Sequence, residues 1–228
     1  MEWFAADEIS QEKIMKFKSL TRFPVIALLA ILTIAFQLGG QENQDSKADN
    51  SEHKFELTSK TFANGASLPL SMILNDSGCA ANGAIGGDQS PEMSWTRPKP
   101  GTRSFVVILY DVTAAFTHWG MYNISPEATG LPENAGVAGS TLGQQVDNDF
   151  FLGEQYDGPC PPTTVTPTTH EYVLTVYALD EELHLGGSAN FPPVGEALFR
   201  ELVKAGRDGH ILESSSLHGS SSAVSTSD

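Results

Sequence analysis

Basic residues are scarce in this chain: 13 Lys and Arg stand against 28 Asp and Glu, a formal net charge of −15 over 228 residues. Binding a phosphate backbone needs a basic face, so this balance argues against nucleic acid as a partner. The acidity reads as a source of solubility and does not identify a substrate. Several motifs are absent too. There is no G-x-S-x-G, no H-E-x-x-H, no phosphate-binding loop and no dinucleotide fingerprint. No internal repeat and no second domain are visible. Cysteine does not follow the one long apolar run, which removes support for a lipid-anchored form.

That run is Phe23 to Leu38, FPVIALLAILTIAFQL, which carries no charge. Lys16, Lys18 and Arg22 precede it and Gly39 and Gly40 follow, the layout of a secretory signal. The acidic lead from Met1 to Glu12 lies outside that layout. Met15 opens a complete signal of its own, so the expected start is Met15 or else the lead is an unusually long n-region. An uncleaved single-span anchor is the alternative. The run is shorter than the ~20 residues a spanning helix needs, so cleavage is favoured. Residues 1–40 are therefore expected to act as a signal peptide or N-terminal anchor, giving a periplasmic or secreted protein. It would touch a membrane only through that segment, and only if the segment stays attached. Residues 41–54 are polar without an apolar period and read as a disordered linker. Residues 220–228 end a serine-rich stretch and read as a disordered tail. The folded domain is expected over 55–219, and 40% hydrophobic content is enough to give it a core.

Strand patterns dominate that domain. Leu68–Leu74, Ser104–Tyr110, His118–Ile124 and Glu171–Leu179 are rich in β-branched and aromatic residues and bounded by Gly, Pro, Asn and Asp. Phe105–Tyr110 (FVVILY) is apolar on both faces and predicts a central strand. One helix is predicted over Val194–Ala205, with Pro193 at its start, Gly206 at its end and a stripe of Val194, Ala197, Leu198 and Leu202. Gly209–Leu217 predicts a last strand. Together these give a mainly β class, an antiparallel core with one flanking helix.

The stretch Gly158–Asp180 organises the chain. Pro159, Pro161 and Pro162 surround Cys160 and can enter neither a helix nor a central strand, so they form a stiff shelf at a sheet edge. A strand then starts at His170, which shares a face with Tyr172. A rigid shelf beside a polar strand end suits a small-ligand pocket. On these residues alone a plain hairpin connection with a histidine at the strand start is the stronger reading. His118 and His170 stand out because each begins a buried strand, whereas His53, His184 and His218 read as surface residues. Asp111 ends the central strand, either as a turn-former or as the acid that holds a histidine in one tautomer.

The motifs Ser90–Trp95 (SPEMSW), Tyr110–Ala115 (YDVTAA), His118–Ile124 (HWGMYNI), Leu131–Glu133 (LPE), Gly158–Pro162 (GPCPP), His170–Tyr172 (HEY) and Tyr177–Asp180 (YALD) come in a fixed order. Each is weak alone. The ordered set resembles the phosphatidylethanolamine-binding, or Raf-kinase-inhibitor-like, family and is closest to its bacterial branch. The resemblance spans nearly all of 55–219 and implies two antiparallel sheets with few helices. It also implies a small anion pocket for a phosphate or phospholipid headgroup. In it, Asp111 is the pocket aspartate, His118 and His170 the pocket histidines, Tyr172 the neighbouring hydroxyl, and Cys160 and Pro161 the backbone of the rim. Asp111 would orient or charge a histidine, or meet the amine of a zwitterionic headgroup.

The chain departs from the family's pattern in several places. D-P-D-A-P is replaced by Asp111-Val112-Thr113-Ala114-Ala115, which predicts a looser pocket wall. H-R-Y is replaced by His170-Glu171-Tyr172, with Glu171 on the other face. An insertion, AANGAIGGDQ between Cys79 and Ser90, is long enough to reshape the pocket mouth. The aromatic residue that often follows the last glycine is missing. Cys79 and Cys160, which the resemblance places near the rim, are expected to form a disulfide in an oxidising compartment.

The expectation is a non-enzymatic binding protein that needs no cofactor and no metal. Its rivals are a metal-dependent enzyme using Asp111, His118 and His170 as a two-histidine, one-carboxylate set, and an inhibitor of a protease or kinase acting through its loops. The N-terminal reading predicts that protein recovered from its native host has a mature start within a few residues of Gly40. Intact-mass measurement checks this, and a full-length mass would contradict it.

Overall fold

Hydrophobic alternation in one strand sets the layers of the molecule. The computed structural model describes residues 54–79, 84–164, 167–188 and 191–223. The apolar run, nearly all of the linker and residues 224–228 lie outside the described residues. The strands are β1 (Leu57–Thr58), β2 (Ala66–Ser67), β3 (Met93–Trp95), β4 (Ser104–Asp111), β5 (Phe116–Ile124), β6 (Gly130–Leu131), β7 (Gln144–Gln145), β8 (Thr169–Leu179) and β9 (Ile211–Ser222), with α1 (Gly195–Asp208) between the last two. They form a three-stranded sheet, β1-β3-β6, and a six-stranded sheet, β2-β9-β8-β4-β5-β7.

In β4, Phe105, Val107 and Leu109 point into the main core with Trp95, Trp119, Met121, Leu174 and Val176. The intervening Val106 and Ile108 meet Leu198, Leu202 and Ala205 of α1 on the opposite face. A strand covered on both sides must be apolar at every position, as FVVILY is. β4 pairs antiparallel with β8 from Ser104↔Leu179 to Asp111↔Tyr172, and on its other side with β5. Asp111, His118, His170 and Tyr172 thereby come to one end of three neighbouring strands.

The structure differs from the sequence reading in four places. Leu68–Leu74 is not a strand. It holds a single 3-10 turn, Leu70–Met72, closed by Met72 N–H donating to the Pro69 carbonyl. Pro69 has no N–H for a ladder, and only Ala66–Ser67 pairs, in parallel, with β9. The large sheet is therefore not wholly antiparallel. α1 passes through Gly206 and stops at Gly209, which takes the left-handed conformation with φ 85°. β9 runs to Ser222, so Ser220–Ser222 belong to the sheet rather than to a disordered tail. Its ladder to β8 extends from Leu179↔Ile211 to Thr169↔Ser222 and is built from backbone, which serine supplies as well as valine does.

Gly195 opens α1 where the helix crosses β5. A Cβ there would lie 2.6 Å from Thr117 Oγ1 and 2.8 Å from Thr117 Cβ. Helix propensity favours Ala over Gly by about 1 kcal/mol, but overpacking a buried contact costs about 1–3 kcal/mol. Gly195→Ala is expected to lower stability, and adding Thr117→Ala should relieve only part of the loss because its Cβ stays in contact, as read by urea denaturation. A single variant more stable than the parent would contradict this packing.

Candidate functional site

The shelf is held from three sides. Gly158 N–H donates to Asp88 Oδ1 at 2.7 Å, and Leu74 N–H donates to the Pro159 carbonyl at 3.1 Å. Cys79 and Cys160 are joined by a disulfide that closes an 81-residue separation. A crosslink of that span contributes about 4 kcal/mol by restricting the unfolded chain. A Cβ on Gly158 would come within 2.1 Å of the Met72 carbonyl oxygen, so only glycine lets the shelf approach this closely. Residues 84–89 of the insertion fold against the 70–74 turn, with Gly87, Asp88 and Gln89 N–H donating to Leu70, Ile73 and Ser71 carbonyls. They brace the shelf from behind, and none of them lines the pocket.

In front of the shelf lies a cavity of about 260 Å³ lined by Asp111, Ala114, Phe116, His118, Phe150, Cys160, Pro161, Pro162, His170 and Tyr172. All six residues singled out from the sequence meet there. Phe116, Phe150, Ala114 and Pro162 were not singled out. The Phe116 ring sits 4.9 Å from the His118 ring and 4.6 Å from that of Phe150, so the aromatics wall in the imidazole. Phe116, which begins β5, could have been found by extending that strand two residues. Phe150 lies in a loop with no periodicity to mark it. His210 was also passed over. It lies elsewhere, beside Asp180, whose hydrogen bond raises its pKa.

Asp111 is 2% exposed, and both its oxygens are used. Oδ1 accepts from Thr113 N–H at 2.8 Å and Ala114 N–H at 2.9 Å, and Oδ2 accepts from His170 Nδ1 at 2.6 Å. The turn that was expected to be loose is tied further: Val112 N–H donates to the Glu171 carbonyl, and Glu171 N–H to Thr113 Oγ1. The Thr113 hydroxyl and the Asx-type turn supply the restraint that prolines would have supplied. Glu171 itself is exposed on the far face. Three donors meet Asp111, and the short contact from His170 Nδ1 means that it orients that ring.

His118 is held differently. Its Nδ1 lies 2.8 Å from the main-chain carbonyl of Asp157, and Asp157 N–H donates back to the His118 carbonyl at 3.2 Å. A carbonyl can only accept, so Nδ1 carries the proton and Nε2 of the neutral ring is a lone pair. The Asp157 carboxylate is fixed in turn by Asn148 Nδ2 and Gln155 Nε2. Burial pushes the His118 pKa below its usual 6.5, against smaller upward pulls from the Asp157 carbonyl and the charges of Asp111, Asp149 and Asp157. The unfolded chain therefore takes up this proton first. The stability tied to neutral His118 is complete above about pH 6.5 and is lost as pH falls toward the lowered folded value.

Tyr172 closes the set. Its hydroxyl is buried and has no hydrogen-bond partner among the described residues. Burial, then the nearby Asp111 charge, then a hydrogen-bonding pull from that same carboxylate push its pKa far up, so it is a proton donor at any physiological pH; the carboxylate is close enough to act on the hydroxyl but does not meet it at hydrogen-bonding geometry. The cavity thus combines one unanswered O–H donor with two histidines whose Nε2 atoms are uncommitted among the described residues. Among the described residues, no three His, Cys, Asp or Glu side chains are placed to share a metal ion.

Similarity to known proteins agrees with this architecture. A family model described as phosphatidylethanolamine-binding protein matches residues 58–222. The UPF0098 protein YbcL of Escherichia coli K12 is 34% identical over 137 residues, which is 56% of this chain and 70% of that protein. A UPF0098 protein of Methanothermobacter thermautotrophicus is 37% identical over 136 residues, 57% of this chain and 80% of its own. The crystal structure of E. coli YbcL, described as a new member of the mammalian PEBP family, superposes with a TM-score of 0.60 at 26% identity. That match covers 76% of this chain and 100% of YbcL.

The unpartnered hydroxyl has a measurable consequence. An unsatisfied buried donor costs about 1–3 kcal/mol. Tyr172→Phe is expected to stabilise the ligand-free protein by about 1 kcal/mol in urea denaturation. A loss of that size would mean that the hydroxyl has a structural partner.

Proposed function

Because this chain belongs to the phosphatidylethanolamine-binding protein family, we propose that its Asp111–His118–His170–Tyr172 cavity holds a small anion, a phosphate or phosphate-bearing headgroup. We propose further that it is an exported, non-enzymatic binding protein. The observation that carries the reading is the buried Tyr172 hydroxyl, which no acceptor meets at hydrogen-bonding geometry among the described residues, in a cavity that both histidines also line. A buried donor is costly until something accepts from it, and an anionic oxygen is the strongest acceptor available. The long-range field opposes this ligand, since the chain carries a formal charge of −15. Affinity must then come from donors at contact distance.

The rest of the cavity supports binding over turnover. Among the described residues, the one sulfur in its lining, Cys160, is engaged in the disulfide, and neither serine nor lysine lines it. Phe116, Phe150, Pro161 and Pro162 give it apolar walls, which strengthen each polar contact inside. With three donors already on Asp111, a headgroup would be read chiefly through its phosphate. The disulfide and the signal-like N-terminal layout favour an oxidising compartment outside the cytoplasm.

The test is calorimetric titration with glycerophosphoethanolamine, a phosphodiester whose single negative charge does not change between about pH 6 and 8. His118 can donate from Nε2 only when protonated, and anion binding favours that form. Affinity should therefore rise as pH falls through this range. His118→Ala or His170→Ala should each weaken binding by about 1.5–3 kcal/mol, and His184→Ala should not. Binding indifferent to pH and to both cavity histidines would refute the assignment.

A further inference from the structure

The hydrogen bonds behind the two histidines decide what their ligand-facing atoms can do. Each Nδ1 is bound to a group that can only accept, the Asp157 carbonyl for His118 and the Asp111 carboxylate for His170. Each therefore carries a proton on Nδ1, and each meets a ligand through Nε2. The two are not equivalent. Asp111 places a carboxylate in direct contact with the His170 ring. His118 is bound to a neutral carbonyl and walled in by Phe116 and Phe150, with Tyr172 edge-on at 5.4 Å. Among the described residues, a charge on that ring has no carboxylate in direct contact. Its neutral form presents a bare lone pair to the cavity, while Tyr172 beside it presents a proton.

We propose that His118 is a specificity-determining residue: its fixed tautomer makes the cavity select tetrahedral oxyanions that bring their own proton, namely inorganic phosphate, phosphate monoesters and phosphonates, over those that bring none, such as sulfate or, at high pH, a phosphodiester. This rests on the anion reading of the cavity and narrows it. A ligand P–OH donates to His118 Nε2 while an unprotonated oxygen accepts from Tyr172. Sulfate has no proton to give, so one of its oxygens faces the Nε2 lone pair unless the ring is first protonated. A polar site that faces the wrong hydrogen-bonding partner discriminates strongly, because the mismatch is left buried. Protonating His118 would relieve the mismatch, and the groups bearing on that step are Asp111 at the end of β4 and Asp149 and Asp157 in the loop before β8. Their charges favour the proton and burial opposes it more strongly, so selection is sharpest at high pH.

Inorganic phosphate and sodium sulfate are the probes, titrated calorimetrically into the full-length protein at about pH 8 and about pH 6. Phosphate keeps at least one proton at both values, and sulfate keeps none. Phosphate should bind at least about tenfold more tightly at the higher pH, and the ratio should shrink at the lower one as His118 gains a proton. His118→Gln offers an amide that can turn either its donor or its acceptor to the ligand. That variant should bring the ratio close to one at the higher pH with the fold intact by circular dichroism. A residue that merely shaped the cavity would weaken both anions alike and leave the ratio unchanged. Equal binding of the two anions by the parent protein at about pH 8 would overturn the inference and leave the anion reading standing. Binding of neither anion would overturn both.

Discussion

A carboxylate buried at the end of a central strand must be met by donors, because an unpaired buried charge is among the costliest features a fold can hold. Asp111 ends β4, the strand with a core on each face, and is met by three donors. Two come from the turn that leads from β4 into β5, so satisfying the carboxylate also shapes that turn. The third is His170 on β8, which the register places across from the same end of β4. Removing the charge would release the turn, the imidazole and the environment of Tyr172 together. The cavity is thus a consequence of how the sheet ends.

The opposite wall follows a different rule. His118 lies on β5, and its ring nitrogen is held by backbone at Asp157, whose side chain is itself locked by Asn148 and Gln155. The disulfide and the glycine at position 158 bring that backbone to the sheet edge. One histidine therefore has a negative partner and the other a neutral one. Two side chains that look alike in the sequence are thus held by different partners, a carboxylate and a main-chain carbonyl. Tyr172 between them supplies the donor. Such an arrangement reads where the protons are on a ligand as well as its total charge.

Much of this was legible in the sequence, for reasons that differ by element. FVVILY announced a strand covered on both faces, and the ordered motifs from SPEMSW to YALD announced the family. The His170/Tyr172 alternation placed both on one face. Other features had no signal to read. β9 is largely serine, and its place in the sheet comes from backbone pairing that side chains do not advertise. Leu68–Leu74 is apolar like a strand, yet Pro69 removes a ladder donor and the chain turns instead. The tautomer of His118 depends on a main-chain carbonyl, and a carbonyl is the same whatever residue bears it. The insertion after Cys79 looked like a rim element because its length is visible and its packing against the 70–74 turn is not.

The account turns on the protonation pattern of His118 in the free protein, and nitrogen-15 NMR of the labelled imidazole reads that pattern directly. At about pH 7.5 the account predicts a neutral ring protonated at Nδ1, with Nε2 showing the shift of an unprotonated nitrogen. A ring protonated at Nε2, or an imidazolium at that pH, would contradict it.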